Sequence, residues 1–578
     1  MIKLHFYEII NDLWKIKKSY VILFLFGKLK DVPRPVLNAL YTKYLIDSLV
    51  SDRNGTTLLR VFFLLLAFFM FEFALYFFDS WFNIKYEPKS KEIISKSLMA
   101  EFLKKNSNMS LKNFENTDFC DKNSLAVNEL IPTYFNIFNC FADLLTNLLT
   151  MLSLITVIFI GENVIVISSI LVVILYFLIN NRSNKIKIKQ TKQIVPIQRF
   201  KRYILYLLTT YENIKNIRVY SAEGFFINKW KENTDKCISV INKFAGKLMT
   251  YSNLSYNIFS LFQYGVTMYC AYIVWIGKIS IGSFSGITQS IFSFMNQLKR
   301  FSETLVVLNH HSNCYSIIKE LELYSKSHQK QEGQYILDKN KNHSIEFKNL
   351  SFSYNDNPNK KVLKNISFKI NANEKVAIIG DNASGKSTLI SLLLRLYEPP
   401  DNTIFIDGID IKKFSPSSIF ENFSILQQNS NNYAVTVSEN IALDVNSNLD
   451  ILKIKNSLKL SGLYNKICFQ NKGIFSKVTK SFADDGLSLS GGENQKLSIS
   501  RFFYKDSPIL ILDEYERWLD YISNEMIFEN IMNFSKNKTL IMISHNQKFL
   551  SLMDKVITLK NGSIDSITTQ QKDKASIV

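Results

Sequence analysis

The run VFFLLLAFFMFEFALYFF, residues 61–78, is interrupted only by Glu72. A hydrocarbon core ~30 Å thick takes about 20 apolar residues of helix, so this segment belongs in a bilayer. Further apolar runs are NIFNCFADLLTNLLTMLSLITVIFI (136–160) and VIVISSILVVILYFLI (164–179), parted by the turn GEN. Others extend from about Leu254 to Ile276, from about Ile281 to Met295, and from Tyr20 to about Val50. Loop charge orients them. KIKK (15–18), the lysine-rich stretch Lys85 to Lys105, the run from Arg182, and Lys299 with Arg300 fall on one side; SDRNGTT, GEN and GKISIG, almost free of basic residues, fall on the other. The positive-inside rule then gives six spans with both termini cytoplasmic.

The net charge of +19 sits largely beside these runs. That placement fits loops at an anionic membrane face, and no nucleic-acid partner is expected. The six cysteines show no paired spacing, so neither a disulfide framework nor a zinc site is indicated. A chain of 578 residues needs more than one core. The expected division is a transmembrane domain over 1–330 and a soluble α/β domain over 331–578, with QKQEGQY as the polar linker.

The first span carries Lys28, Lys30, Asp31 and Arg34 around the pair Pro33 and Pro35, which should bend the helix. Charges at that depth face protein or a wet cavity. Internal pairing, with Asp31 to Arg34 and with Glu72 or Asp79, is favoured over a wall that meets cargo; both stay open. FENTDFCDKNSLA (114–126) and NIRVYSAEGFFINKW (216–230) are too polar to span and too long for turns, and read as cytoplasmic helices.

In the second half IEFKNLSFSY, VLKNISFKI and EKVAIIG read as strands. The last runs into GDNASGKST, Gly380, Asp381, Asn382, Ala383, Ser384, Gly385, Lys386, Ser387 and Thr388, followed by the helical LISLLLRLY. Strand, loop and helix in that order identify a phosphate-binding P-loop. Gly380 and Gly385 allow tight turns that aim successive N–H groups at phosphate oxygens. Lys386 supplies a charge for the β- and γ-phosphates, and Ser387 a hydroxyl for Mg²⁺. Ala383 stands where a third glycine is common. Downstream, ILILDE ends an apolar strand in Asp513, for Mg²⁺, and Glu514, to orient and deprotonate the attacking water.

SLSGGENQKLSISR (488–501) resembles the signature segment of ATP-binding cassette (ABC) proteins. With the preceding spans, the whole chain resembles an ABC exporter half-transporter. The resemblance implies a six-helix transmembrane domain joined to an α/β P-loop nucleotide-binding domain, and an ATPase coupled to transport, using ATP and Mg²⁺. It implies that Tyr354 stacks on adenine, that Gln428 is the Q-loop glutamine reaching Mg²⁺, that Asp520 is the D-loop aspartate, and that His545 is the switch histidine. The two polar cytoplasmic stretches resemble the family's coupling helices. It further implies that Ser490, Gly491 and Gly492 meet the γ-phosphate held by an opposite subunit's P-loop. One chain then cannot close its own site, and a dimer follows, with itself or with a related chain.

The family's usual DEPTSALD is here DEYERWLD, with Tyr515, Glu516, Arg517 and Trp518 in the altered positions. Lys386, Ser387, Gln428, Ser490, Asp513, Glu514 and His545 are all present, which indicates a competent site whose closure these large side chains could slow. The region ending in TVSENI resembles exporters of bacteriocin-type or modified peptides. No peptidase domain precedes the first span, so leader trimming is not expected. The alternatives are a multidrug or lipid exporter, or one subunit of a heterodimer with a regulatory site. Localisation in the cytoplasmic membrane, among its lipids, follows from the spans.

Overall fold

The computed structural model describes residues 6–50, 55–161, 163–327, 333, 335–354, 360–427, 431–444, 449–479, 484–544 and 546–570. Contacts divide the chain into two units: Met1–Ser107 with Cys120–Tyr324, and Asn108–Phe119 with Ser325–Val578.

The first unit is helical. Its elements are α1 (Phe6–Leu29), α2 (Arg34–Val50), α3 (Gly55–Trp81), α4 (Glu87–Ser107), α6 (Thr117–Gly161), α7 (Asn163–Thr209), α8 (Tyr211–Val219), α9 (Glu223–Trp275) and α10 (Ile281–Ser327), with the short α5 (Leu111–Glu115) before α6. The proline pair acts where expected: the chain breaks between Leu29 and Arg34, and Pro35 sits in the first turn of α2, where its missing N–H is not needed. Helices α6, α7, α9 and α10 run 45, 47, 53 and 47 residues. At ~1.5 Å per residue that is roughly 70–80 Å, more than twice a bilayer's core, so each has length left over for water.

Among the described residues three segments are long and apolar enough to cross a membrane: Leu59–Ser107, Thr117–Thr156 and Glu223–Trp275. The apolar window of the first has none of its residues buried in protein. Phe62, Phe63, Phe69, Phe73 and Phe77 all point outward. Leaving each in water would forgo roughly 2 kcal/mol, so this face needs lipid or another apolar partner. Inside the unit, Leu154, Val172, Val266, Cys270, Ile287, Ile291, Phe294 and Met295 make a core.

The charges of the first span are paired. Lys30 Nζ lies 2.8 Å from Asp79 and 3.2 Å from Asp31; Arg34 grips Glu72 and lies 3.8 Å from Asp31; Lys28 meets Asp143 at 2.7 Å. This is the internal pairing that the sequence favours, with Glu72 and Asp79 as the partners. Asp143 is an added partner that the sequence does not show, because nothing local brings α6 to α1.

The second unit is α/β. Strands β1 (Ile345–Phe352), β2 (Leu363–Ile370), β4 (Ile404–Ile406) and β5 (Ile409–Asp410) form an antiparallel sheet in the order β2-β1-β4-β5. The second sheet has the order β10-β9-β3-β8-β7-β6, from β3 (Lys375–Gly380), β6 (Phe423–Leu426), β7 (Ile509–Asp513), β8 (Thr539–Ile543), β9 (Lys555–Lys560) and β10 (Ser563–Thr569). In it β6, β7, β8, β3 and β9 are mutually parallel. Buried on both faces, these strands are near-continuous apolar runs such as ILIL and TLIMI. Asn108–Phe119 belongs to this unit; there the Tyr397 hydroxyl donates to the Glu115 carboxylate. Burial, aided by that carboxylate, raises the Tyr397 phenol's pKa.

Candidate active site

Parallel pairing puts the carboxyl ends of β3, β8, β7 and β6 along one edge of the sheet, where open α/β folds bind ligands. Asp513 is in register with Ile543, and Ile543 with Ile378, two residues before Gly380. The P-loop, the Asp513–Glu514 pair and Ser544 therefore converge from positions up to about 160 residues apart, and β6 ends two residues short of Gln428. Gln428 and His545 themselves lie outside the described residues.

The P-loop turns as its glycines require. Gly380 has φ +153° and Gly385 φ +102°. A Cβ on Gly380 would stand 2.2 Å from the Leu559 carbonyl oxygen, and one on Gly385 2.6 Å from Leu363 Cδ2. Ala383 holds φ +63°, a left-handed conformation that costs an alanine ~1 kcal/mol, which is why glycine is common there. Helix α11 (Lys386–Leu393) starts at Gly385. Lys386 is 6% exposed, and its ammonium donates to the carbonyls of Gly380 at 2.6 Å and Asp381 at 2.9 Å. Ser387 is exposed beside it, as are Asp381 and Asn382. Ser384 Oγ is buried with no partner among the described residues. Tyr354 reaches this helix: its hydroxyl is 3.1 Å from Thr388 Oγ1, and its ring meets those of Phe352 and Tyr397 edge-on.

Asp513 ends β7 against the P-loop. Burial, and then the neighbouring Glu514 charge, push its carboxyl up to about 6, against the pull of Lys386. Glu514 adopts a left-handed conformation, φ +46°, and its N–H donates to the Ile543 carbonyl at 3.1 Å. Such strain in a non-glycine residue is typical of functional turns. The pair offers hard oxygen donors, the chemistry Mg²⁺ takes, and a divalent cation would relieve the repulsion that raises Asp513.

Ser490 caps the helix Gly491–Lys505 in a capping box: its hydroxyl accepts from Glu493 N–H at 3.3 Å, and Glu493 accepts from Ser490 N–H at 2.9 Å. The hydrogen bond from Ser490 N–H, with Lys466 at 3.3 Å, holds the Glu493 carboxyl below its ordinary range despite partial burial. Asp520 caps the next helix, Tyr521–Phe534, by accepting from Ser523 N–H at 3.0 Å.

The altered loop is a single turn, Tyr515–Trp518, and its large side chains part company. Tyr515 is fully buried among Leu512, Ile527 and Met542 in the core and is not an interface side chain. Its carbonyl accepts from Gln495 Nε2 at 3.0 Å. Trp518 is 58% exposed beside the signature glycines, and its carbonyl would stand 3.0 Å from a Cβ at Gly492. Glu516 hydrogen-bonds with Ser544. Sequence reasoning missed Gln495 and Ser544, and took Glu516 only as one of the large residues of the altered loop. The capping spacing Ser490-x-x-Glu493 was legible; the other contacts are tertiary.

Residues 363–516 match the family described as ABC transporter, and residues 33–298 the ABC transporter transmembrane region. With a helical membrane region and a P-loop ATPase domain in one polypeptide, the chain belongs to the ABC exporters, which hydrolyse ATP to drive transport across a membrane. It is 28% identical to the subtilin transport ATP-binding protein of Bacillus subtilis over 562 residues, covering 93% of this chain and 87% of that one. It is 26% identical to the nisin transport ATP-binding protein of Lactococcus lactis subsp. lactis over 491 residues, 82% of this chain and 79% of the relative. The fold is that of a bacterial Atm1-family ABC exporter solved with ATP bound, with a TM-score of 0.80 at 19% identity over 96% of both chains.

Proposed function

We propose that this chain exports a peptide across the cytoplasmic membrane as a dimer, most simply a homodimer. The observation that carries the cargo class is the extent of the alignments. A match of 562 or 491 residues cannot fit within residues 331–578, so those with the subtilin and nisin transport proteins include the membrane half, where cargo is met. A putative multidrug export protein of Bacillus subtilis aligns over 228 residues, 38% of its length. A hydrophilic cavity of about 540 Å³ in the helical unit, lined by the amides of Asn136, Asn139, Asn147 and Gln297 and by the charged Lys28, Asp31, Asp143, Arg300 and Glu303, offers a place for a polar cargo such as a peptide.

In this reading residues 1–330 form six spans with both termini cytoplasmic, and 331–578 bind nucleotide. Gly380 to Thr388 cradle the phosphates of ATP, with Lys386 on the β- and γ-phosphates and Tyr354 on adenine. Ser387, Asp513 and Gln428 hold Mg²⁺, which when bound neutralises phosphate charge. Glu514 orients and deprotonates the attacking water, His545 meets the γ-phosphate, and Ser490, Gly491 and Gly492 close the opposite subunit's site, with Asp520 beside it. ATP drives the change only through its tighter binding to the closed dimer; hydrolysis resets it.

Comparing secreted peptides from cells carrying the wild type or Glu514→Gln tests the cargo. Loss of a defined peptide from the medium supports the reading. An unchanged set of peptides, with dye efflux lost instead, replaces it with the multidrug alternative.

A further inference from the structure

Among the described residues, the loops that end β7 and β8 are joined by two hydrogen-bonded links. The first link is through backbone, Glu514 N–H to the Ile543 carbonyl at 3.1 Å. The second is through side chains: the Ser544 hydroxyl donates to the Glu516 carboxylate and accepts from Asn546 N–H at 3.0 Å. Ser544 is 2% exposed, so its hydroxyl has little access to water and depends on these two partners. Asn546 in turn caps the following turn by accepting from Lys548 N–H at 3.1 Å. Ser544 and Asn546 are the two residues that flank His545 in the chain. Glu516 stands two residues after Glu514, where the family's usual run has threonine.

We propose that Glu516 is a positioning residue for hydrolysis: it ties Ser544 and Asn546, the two chain neighbours of His545, to the turn that carries Glu514. The proposal rests on the reading of Glu514 and His545 as the hydrolytic pair. A hydrogen bond to an ionised acceptor is among the stronger ones available; a shorter side chain at 516 would not reach Ser544, and an amide of the same length would keep the bond in a weaker form. The altered loop is then a clamp on the hydrolytic segment. Losing the clamp leaves the P-loop and Tyr354 untouched, so binding of ATP should persist while turnover suffers. Misplacing a catalytic group by an ångström costs up to about 10²-fold in rate, and loosening one of two links should cost less.

The test is steady-state ATP hydrolysis by the full chain in lipid nanodiscs, comparing Glu516→Ala, Glu516→Gln, Ser544→Ala and the double alanine variant. Nucleotide affinity and thermal unfolding are measured beside it. Glu516→Ala is expected to lower kcat about tenfold with KM and ATP affinity within about twofold, and Glu516→Gln, which keeps an acceptor, to recover most of the loss. Ser544→Ala should match Glu516→Ala, and the double variant should be no slower than either single one. Wild-type kcat in Glu516→Ala overturns the proposal, as do losses that multiply in the double variant. A fall in kcat that merely follows the unfolding temperature across the series also overturns it. Glu514→Gln and His545→Ala run in parallel keep the two readings apart. Full activity in both would sink the hydrolytic assignment, whereas inactivity in both with an active Glu516→Ala sinks the clamp alone.

Discussion

The two halves handle charge in opposite ways. In the helical unit Lys28, Lys30 and Arg34 each meet a carboxylate on another element or close by: Asp143, Asp79 with Asp31, and Glu72. In the nucleotide half Lys386 is as secluded as Lys30, yet its close contacts are the carbonyls of Gly380 and Asp381. Beside it Asp513 is pushed up to about 6 by burial and by Glu514. Charge neutralised within the fold holds helices together. Charge left short of compensation in a buried place is poised for something that arrives, on the proposed reading a polyphosphate and its cation.

That contrast breaks if hydrolysis does not depend on the poised charges. Glu514→Gln in the lipid-embedded chain should lower ATP turnover by about 10²-fold or more while ATP still binds, read by phosphate release and equilibrium binding. Lys386→Met should weaken ATP binding by more than tenfold while costing at most about 2 kcal/mol of stability, through the lost hydrogen bonds to the carbonyls of Gly380 and Asp381.

Arg34→Met should do the reverse. It strands Glu72 in an apolar setting and should cost about 3 kcal/mol of stability, and Arg34→Met with Glu72→Met should restore most of that. Thermal unfolding in detergent or lipid decides it; equal destabilisation in the single and double variants would refute the pairing account.

Asp513 sharpens the comparison through pH. Its folded pKa of about 6 lies above the ordinary 3.8, so the neutral carboxyl favours the fold. That contribution is fully present below pH 3.8 and is lost as pH rises through about 6. Without nucleotide and Mg²⁺, Asp513→Asn should therefore unfold later than the wild type at pH 8, by about 2 kcal/mol after allowing for partial exposure, with the difference gone by about pH 4. The smallest effect belongs to Tyr515→Phe. The buried hydroxyl has no partner among the described residues, so its removal should change stability by less than about 1 kcal/mol, toward greater stability, with unaltered turnover.

Much of this protein is legible in one dimension because its decisive signals are local. An 18-residue apolar run can go only into a bilayer, and strand, GDNASGKST and helix make a phosphate loop whatever surrounds them. The break at Pro33 and Pro35 and the strands at 345–354, 362–370 and 374–380 are of the same kind, set by backbone geometry and side-chain period. Tyr354 and Asp520 stand out by their motif places, and the structure adds what those side chains hold, Thr388 and a helix N-terminus.

The altered loop was not legible, for a physical reason. Four large residues at an expected interface look alike in a string, but the fold turns Tyr515 into the core, leaves Trp518 beside the signature glycines and brings Glu516 to Ser544. Those outcomes depend on β7 and β8 lying side by side, which is decided by sheet order across the 25 residues from 514 to 538. The Lys28–Asp143 pair has the same origin, since α1 and α6 are neighbours only in space. The sequence by itself determined the class of machine, a membrane half joined to an ATPase half, because hydrophobic length and phosphate-loop chemistry are properties of short segments. Only the tertiary structure decided which charges are spent on each other and which stay available, because a charge's role depends on who stands within a few ångströms of it.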